Sequence, residues 1–184
     1  MEEKSTFWKS AMVYGLYLAL ALTLFSVITY VAGLILNPKI GYVSIVLVII
    51  GIVIAQINYR NKELNGTITY GQALGFGVAI MLFAGIISAL YTLVLYTFID
   101  PSLIDQMKAA QEEAMLAKGL TEDQIDAAMS MASKMMSPAW MSIMALIGSV
   151  FSGTIVSLIT SIFVKKQPNL DAFDEAMEDV KTEE

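Results

Sequence analysis

Two groups of side chains could do chemistry beyond packing: seven carboxylates, Asp100, Asp105, Glu112, Glu113, Glu122, Asp123 and Asp126, and the eight of twelve methionines that fall between Met107 and Met144. Paired carboxylates can work as acid and base on a glycosidic bond or hold a cation, and clustered thioethers are soft ligands suited to Cu(I). Neither group has the company its chemistry needs. The chain contains no Cys and no His, which removes thiol nucleophiles, imidazole bases and the usual zinc and haem ligands. Copper held by thioethers would lack a harder ligand, whereas methionine is an adaptable filler of helix contacts. The carboxylates fall at helix starts and on polar faces, where the helix dipole favours negative charge. Gly75-Phe76-Gly77 lies in an apolar run without the strand–loop–helix setting of a phosphate cradle. The residues therefore predict no enzyme, with no catalytic residue, no cofactor and no metal.

What must be positioned is mostly apolar. With 57% hydrophobic and 15% charged residues and a mean hydropathy of +0.67, the composition is that of a polytopic membrane protein. A net charge of −6 gives a nucleic-acid partner no electrostatic support. The charges collect at the N-terminus, in 59–63, in 100–134 and after Val164. The gaps between them predict an all-α bundle of four transmembrane spans, at about 10–36, 40–58, 72–98 and 139–164, within a membrane domain of residues 1–166. Span three, about 26 residues at ~1.5 Å each, gives ~39 Å against a hydrocarbon core of ~30 Å, so it must tilt or protrude. Span two is rich in Val and Ile, but an open strand in lipid would leave its backbone unpaired, so length overrules strand propensity. Span one runs well past Ala19-Leu20-Ala21 and reads as an uncleaved signal-anchor.

Between spans three and four, residues 101–137 predict an extramembrane helical hairpin. Asp100-Pro101 opens its first helix, with a stripe of Leu103, Met107, Ala110 and Ala114. Gly119 stops that helix, and Thr121 to Gln124 has the form of a capping box for a second, with a stripe of Ile125, Ala128, Met129, Ala132 and Met136. Ser137-Pro138 opens span four, which Lys165-Lys166 closes before an acidic tail, 167–184. Basic residues near span ends number six on the side of both termini (Lys4, Lys9, Arg60, Lys62, Lys165, Lys166) and three on the other (Lys39, Lys108, Lys134), which predicts cytoplasmic termini and an outward hairpin. Trp8, Tyr59, Tyr70 and Phe163 would form one aromatic belt and Tyr42, Tyr96, Phe98 and Trp140 the other.

The most regular pattern is Ala145, Ser149, Gly153, Ser157 and Ser161, small residues at four-residue spacing along span four. Shorter versions run through Ala11, Gly15, Ala19 and Thr23 in span one and through Gly71, Gly75 and Ala79 in span three, with Gly77 and Gly85 alongside. Such stripes let helix backbones approach closely, within one bundle or in a homodimer. No Asp, Glu, Lys or Arg lies inside a predicted span, which disfavours an ion-coupled transporter.

The block INYRNKELNGTITYGQALGFG, followed by a long span, IDP, a polar helical segment and a last span ending in Lys-Lys, resembles an uncharacterised bacterial membrane family, domain of unknown function 4199, over roughly residues 7–166. The resemblance implies a four-helix protein of the bacterial inner membrane and carries over no ligand or catalytic residue. Members of the family are often encoded beside glycosyltransferases that resemble lipid-linked sugar transferases, which implies an accessory role in envelope assembly and a partner of that type. The expected function is a non-enzymatic interaction protein in the lipid bilayer. Its small-residue faces would assemble the bundle, and Met107, Met129, Ala132 and Met136 would dock the partner. The alternative is a passive carrier or channel for lipid or small solute lined by Thr154, Ser157, Thr160 and Ser161.

Overall fold

The computed structural model describes residues 2–166, so the acidic segment 167–184 lies outside the described residues. Six helices run in the order α1 (Glu2–Val31), α2 (Pro38–Glu63), α3 (Tyr70–Val94), α4 (Ser102–Ala117), α5 (Glu122–Met135) and α6 (Pro138–Val164), with a π-helical turn, Leu95–Ile99, ending α3. Among the described residues four helices are long and apolar enough to cross a membrane: Thr6–Val31 within α1, α2, Tyr70–Ile99, and α6. This is the make-up of a multi-pass membrane protein. Leu16, Leu20, Leu24 and Ile28 along α1 and Ile155, Leu158, Ile159 and Ile162 along α6 are exposed, a liability in water and the natural surface of a helix in lipid.

Local chemistry sets the helix ends, and at two of them it departs from the sequence reading. Span one stops at Val31 rather than at Leu36, because Gly33 takes a left-handed φ of 68°. Gly33 N–H then donates to Tyr30 O at 2.9 Å and Leu34 N–H to Thr29 O at 2.8 Å, a Schellman stop that the continuing apolar residues conceal. Asn58 to Glu63 is the last turn of α2 rather than a loop; the reversal comes at Asn65 and Gly66, both with positive φ. Span three opens on a reciprocal cap, in which Thr69 N–H donates to Gln72 Oε1 at 3.0 Å and Gln72 N–H to Thr69 Oγ1 at 3.3 Å. At α5, Thr121 N–H donates to Gln124 Oε1 at 3.0 Å. Pro38 and Pro138 each occupy a first helical turn behind the side-chain caps Asn37 and Ser137.

In the bundle, α3 packs most closely on α6 and next on α1. α2 joins mainly through its C-terminal half, where Ile52, Ala55, Gln56 and Tyr59 are its buried residues. At this end the parts are tied together. Phe7 of α1 meets Tyr59 and Phe76 edge-on, at 6.0 and 5.6 Å between ring centroids. Arg60 Nη1 donates to Val164 O at 3.0 Å, satisfying a carbonyl at the end of α6. Ile68 and Lys166 exchange two backbone hydrogen bonds of 2.8 and 2.9 Å. Residues 7 and 166 thus share one end of the bundle. Tyr59 is a correction to the aromatic belt: it is buried, stacked on Phe76 at 4.0 Å, and belongs to the core.

Candidate functional site

Two polar places are built into the membrane-spanning part, and their construction differs. The first is a closed node about two helical turns in from the end that carries residues 7 and 166. Gln56 of α2 is fully buried, and its Nε2 donates to Ala73 O of α3 at 2.9 Å and to Ser161 Oγ of α6 at 3.3 Å. Gly77 makes the node possible, since a Cβ there would overlap Ser157 Oγ and approach Gln56 Nε2 to 3.0 Å. Gln56 Oε1, Ser157 Oγ and Thr160 Oγ1 are buried without a partner among the described residues. Counting only charged residues in the spans passes over Gln56, although an amide between Ala55 and Ile57 in an apolar run is itself a signal.

The second place is open. Because the N-terminal half of α2 has no fully buried residue and meets the core only through half-buried Val48, a cleft of about 420 Å³ remains at the α1–α2 loop end, bounded by α1, α2, α3 and α6. Ser26, Thr29, Asn37, Ser44, Ser149 and Ser152 supply its polar lining, over apolar walls that include Leu22, Phe25, Val48 and Met81. A smaller cleft of about 220 Å³ between α1 and α3 shares Leu22, Ser26 and Ile35 with it and adds Thr23, Ser88, Tyr91 and Tyr96. Among the described residues no charged side chain lines either cleft. Tyr96, expected in a belt, is thus half-buried in a cleft wall.

At the rim of this end, Tyr30 Oη donates to Asp100 Oδ2 at 3.0 Å, joining α1 to the end of span three. The Asp100 carboxyl is held below its ordinary range chiefly by the Ser102 hydroxyl that donates to it; desolvation opposes this, and hydrogen bonds from Tyr30 and from the Ser102 and Leu103 backbone add to the lowering. Asp100 also caps the next helix, with Ser102 N–H donating to Oδ1 at 3.1 Å. α4 accordingly begins at Ser102, directly after Pro101.

The small-residue faces distribute unevenly. Ala11, Gly15 and Ala19 are buried on α1, and a Cβ on Gly15 would press on Phe83 Cβ at 2.7 Å and Ile80 O at 2.9 Å. On α6, Gly153, Ser157 and Ser161 are buried, while Ala145 and Ser149 are half-buried. Span three corrects its expected stripe. Ala79 is buried, but Gly71 and Gly75 are exposed with open space where a Cβ would stand. The close approaches of α3 to α6 are at Gly77, against Ser157, and at Gly85, against Ser149. Ser157, Thr160 and Ser161, expected along a solute route, are buried, and with half-buried Thr154 they stand outside both clefts. On α4 and α5, Met107, Met129, Ala132 and Met136 are half-buried. Leu103 and Ile125 are buried, whereas Ala110 and Ala114 of the first stripe are exposed, and Leu116, Met131 and Met135 are the exposed large apolar side chains.

No curated protein and no solved structure matches the chain. One family model, described as "Protein of unknown function (DUF4199)", matches residues 13–166, which takes in most of span one, the other three spans, the Gln56 node and both clefts. By that match the chain belongs to the DUF4199 family.

Proposed function

We propose that the chain is a non-enzymatic accessory protein of a bacterial inner membrane, in which the four spans form a fixed base and α4 and α5 form an extramembrane hairpin that docks a membrane protein partner. The observation that carries this reading is the apolar surface of the two short helices. α5 buries Ile125 and still leaves Met131 and Met135 exposed, and exposed methionines suit an adaptable binding surface. A partner of the envelope glycosyltransferase type, as the family resemblance implies, would meet this surface just above the bilayer; a second copy of the chain is the competing occupant. The open cleft is what favours the alternative, a passive carrier. Toward the other end, however, the bundle is filled by fully buried Ile52, Phe76 and Ile80 together with Gln56, which supports a base rather than a conduit.

The test uses the full tagged chain extracted in native lipid discs, with and without Met131→Glu/Met135→Glu, and mass spectrometry of what copurifies. The charged pair should remove one stoichiometric membrane protein while leaving the yield of folded chain unchanged. Recovery of the same set with both chains, or self-association alone, would sink the docking reading.

Orientation is part of the same proposal. The basic residues Arg60, Lys62, Lys165 and Lys166 share the end that carries residues 7 and 166, which supports cytoplasmic termini. A cysteine at Ser130, exposed on α5, should then react with a membrane-impermeant thiol reagent in cells whose inner membrane is intact. Protection until lysis would reverse the assignment.

A further inference from the structure

We propose that the larger cleft is a binding site for a neutral lipid bearing a free hydroxyl, of the diacylglycerol class. Its volume, about 420 Å³, falls within the ~300–1,000 Å³ typical of small-molecule sites, and its place among four apolar spans makes the bilayer the source of the ligand. The charge of the ligand follows from the lining. Among the described residues no Asp, Glu, Lys or Arg lines the cleft, so an ionised phosphate head would lose its hydration with no charge there to replace it.

The hydrogen-bonding sense follows from where the lining hydroxyls already send their protons. Thr29 Oγ1 donates to Ser26 O at 2.9 Å, Ser44 Oγ to Ile40 O at 3.3 Å, Ser149 Oγ to Leu146 O at 2.8 Å and Ser152 Oγ to Ser149 O at 3.1 Å. With those protons committed to helix carbonyls, the four oxygens face a ligand as acceptors. Those four acceptors call for a donor, which a free lipid hydroxyl supplies and a fully esterified lipid does not; the Asn37 amide, whose Oδ1 accepts from Lys39 N–H at 3.0 Å, is left to donate to an ester carbonyl of the same lipid. Leu22, Phe25, Val48 and Met81 provide the apolar wall for the adjoining chain.

Gly41 offers a clean test, because it lines the cleft and a Cβ there would meet nothing within 4 Å. Gly41→Phe therefore fills the site without displacing a packed neighbour. Gly148→Phe is the control, since that glycine has the same open surroundings but is exposed on α6, outside both clefts. The chain in phosphatidylcholine vesicles is photolabelled with a photoactivatable diacylglycerol, its acetylated derivative or photoactivatable phosphatidic acid, and the labelled peptides are mapped. Diacylglycerol should label residues 38–48. Gly41→Phe should weaken that labelling about tenfold, and acetylation should do so to a similar degree, the equivalent of one hydrogen bond of ~1.4 kcal/mol. Gly148→Phe should leave it unchanged.

Equal labelling of Gly41→Phe, or labelling by the acetylated or phosphatidic acid probe as strong as by diacylglycerol, would overturn the proposal. Competition on the unsubstituted chain, where unlabelled diacylglycerol should displace the probe and its acetylated form should not, decides the matter even if Gly41→Phe fails to fold.

Discussion

Replacing Gly77 by leucine should cost the bundle ~3 kcal/mol, from overpacking of ~1–3 kcal/mol and polar groups stranded at a similar cost, less ~1 kcal/mol of helix propensity gained. Its Cβ would overlap Ser157 Oγ and crowd Gln56 Nε2, so α3 and α6 must separate and the Gln56 hydrogen bonds must break. Gly75→Leu, two residues away, should be close to neutral, because Gly75 is exposed with open space around it. The measurement is loss of helical ellipticity in mixed micelles as the fraction of denaturing detergent rises. Coincident transitions for the two variants would show that the α3–α6 contact is not where the structure puts it.

The second large effect belongs to Gln56. Gln56→Glu keeps the shape but, at neutral pH, removes both N–H donors and turns a charged oxygen toward Ala73 O. A buried charge without a partner should cost ~3–5 kcal/mol, and the chain should express poorly or unfold at low denaturant. Gln56→Leu should differ from the parent by less than ~1.5 kcal/mol. It loses two interhelical bonds of ~0.6 kcal/mol each but also removes the unpartnered Oε1. The ordering Gln ≈ Leu ≫ Glu is the expected outcome of the same micelle titration. If leucine proved as damaging as glutamate, the node would owe its stability to its hydrogen bonds rather than to the absence of charge.

Hydrophobic run length and capping chemistry were legible because both are local. Thr121 and Gln124, Ser137-Pro138, and the charge-free runs marked their elements from the residue types alone. Three departures have one cause, that a neighbour in space decides what a residue does. The apolar run through Leu36 hid the stop at Gly33, since composition does not report φ. Tyr59 has the composition of a belt residue and is buried because Phe7 and Phe76 enclose it. Four-residue spacing chose Gly71 and Gly75, but a helix has many four-residue rows, and the row that meets α6 runs through Gly77 and Gly85.

By itself the sequence determined the number of spans, their helical state and the absence of charge within them, since each follows from local composition and the cost of leaving a backbone unpaired in lipid; the INYRNKELNGTITYGQALGFG block carried the resemblance to the family. Only the tertiary structure decided which glycines admit a neighbouring helix, that Gln56 joins three spans, and that α2 leans away to leave a hydroxyl-lined cleft. These depend on the relative rotation and tilt of helices whose exposed faces are nearly as apolar as their buried ones. Where lipid and protein interior attract the same side chains, hydrophobicity no longer says which face turns inward, and close packing makes that choice.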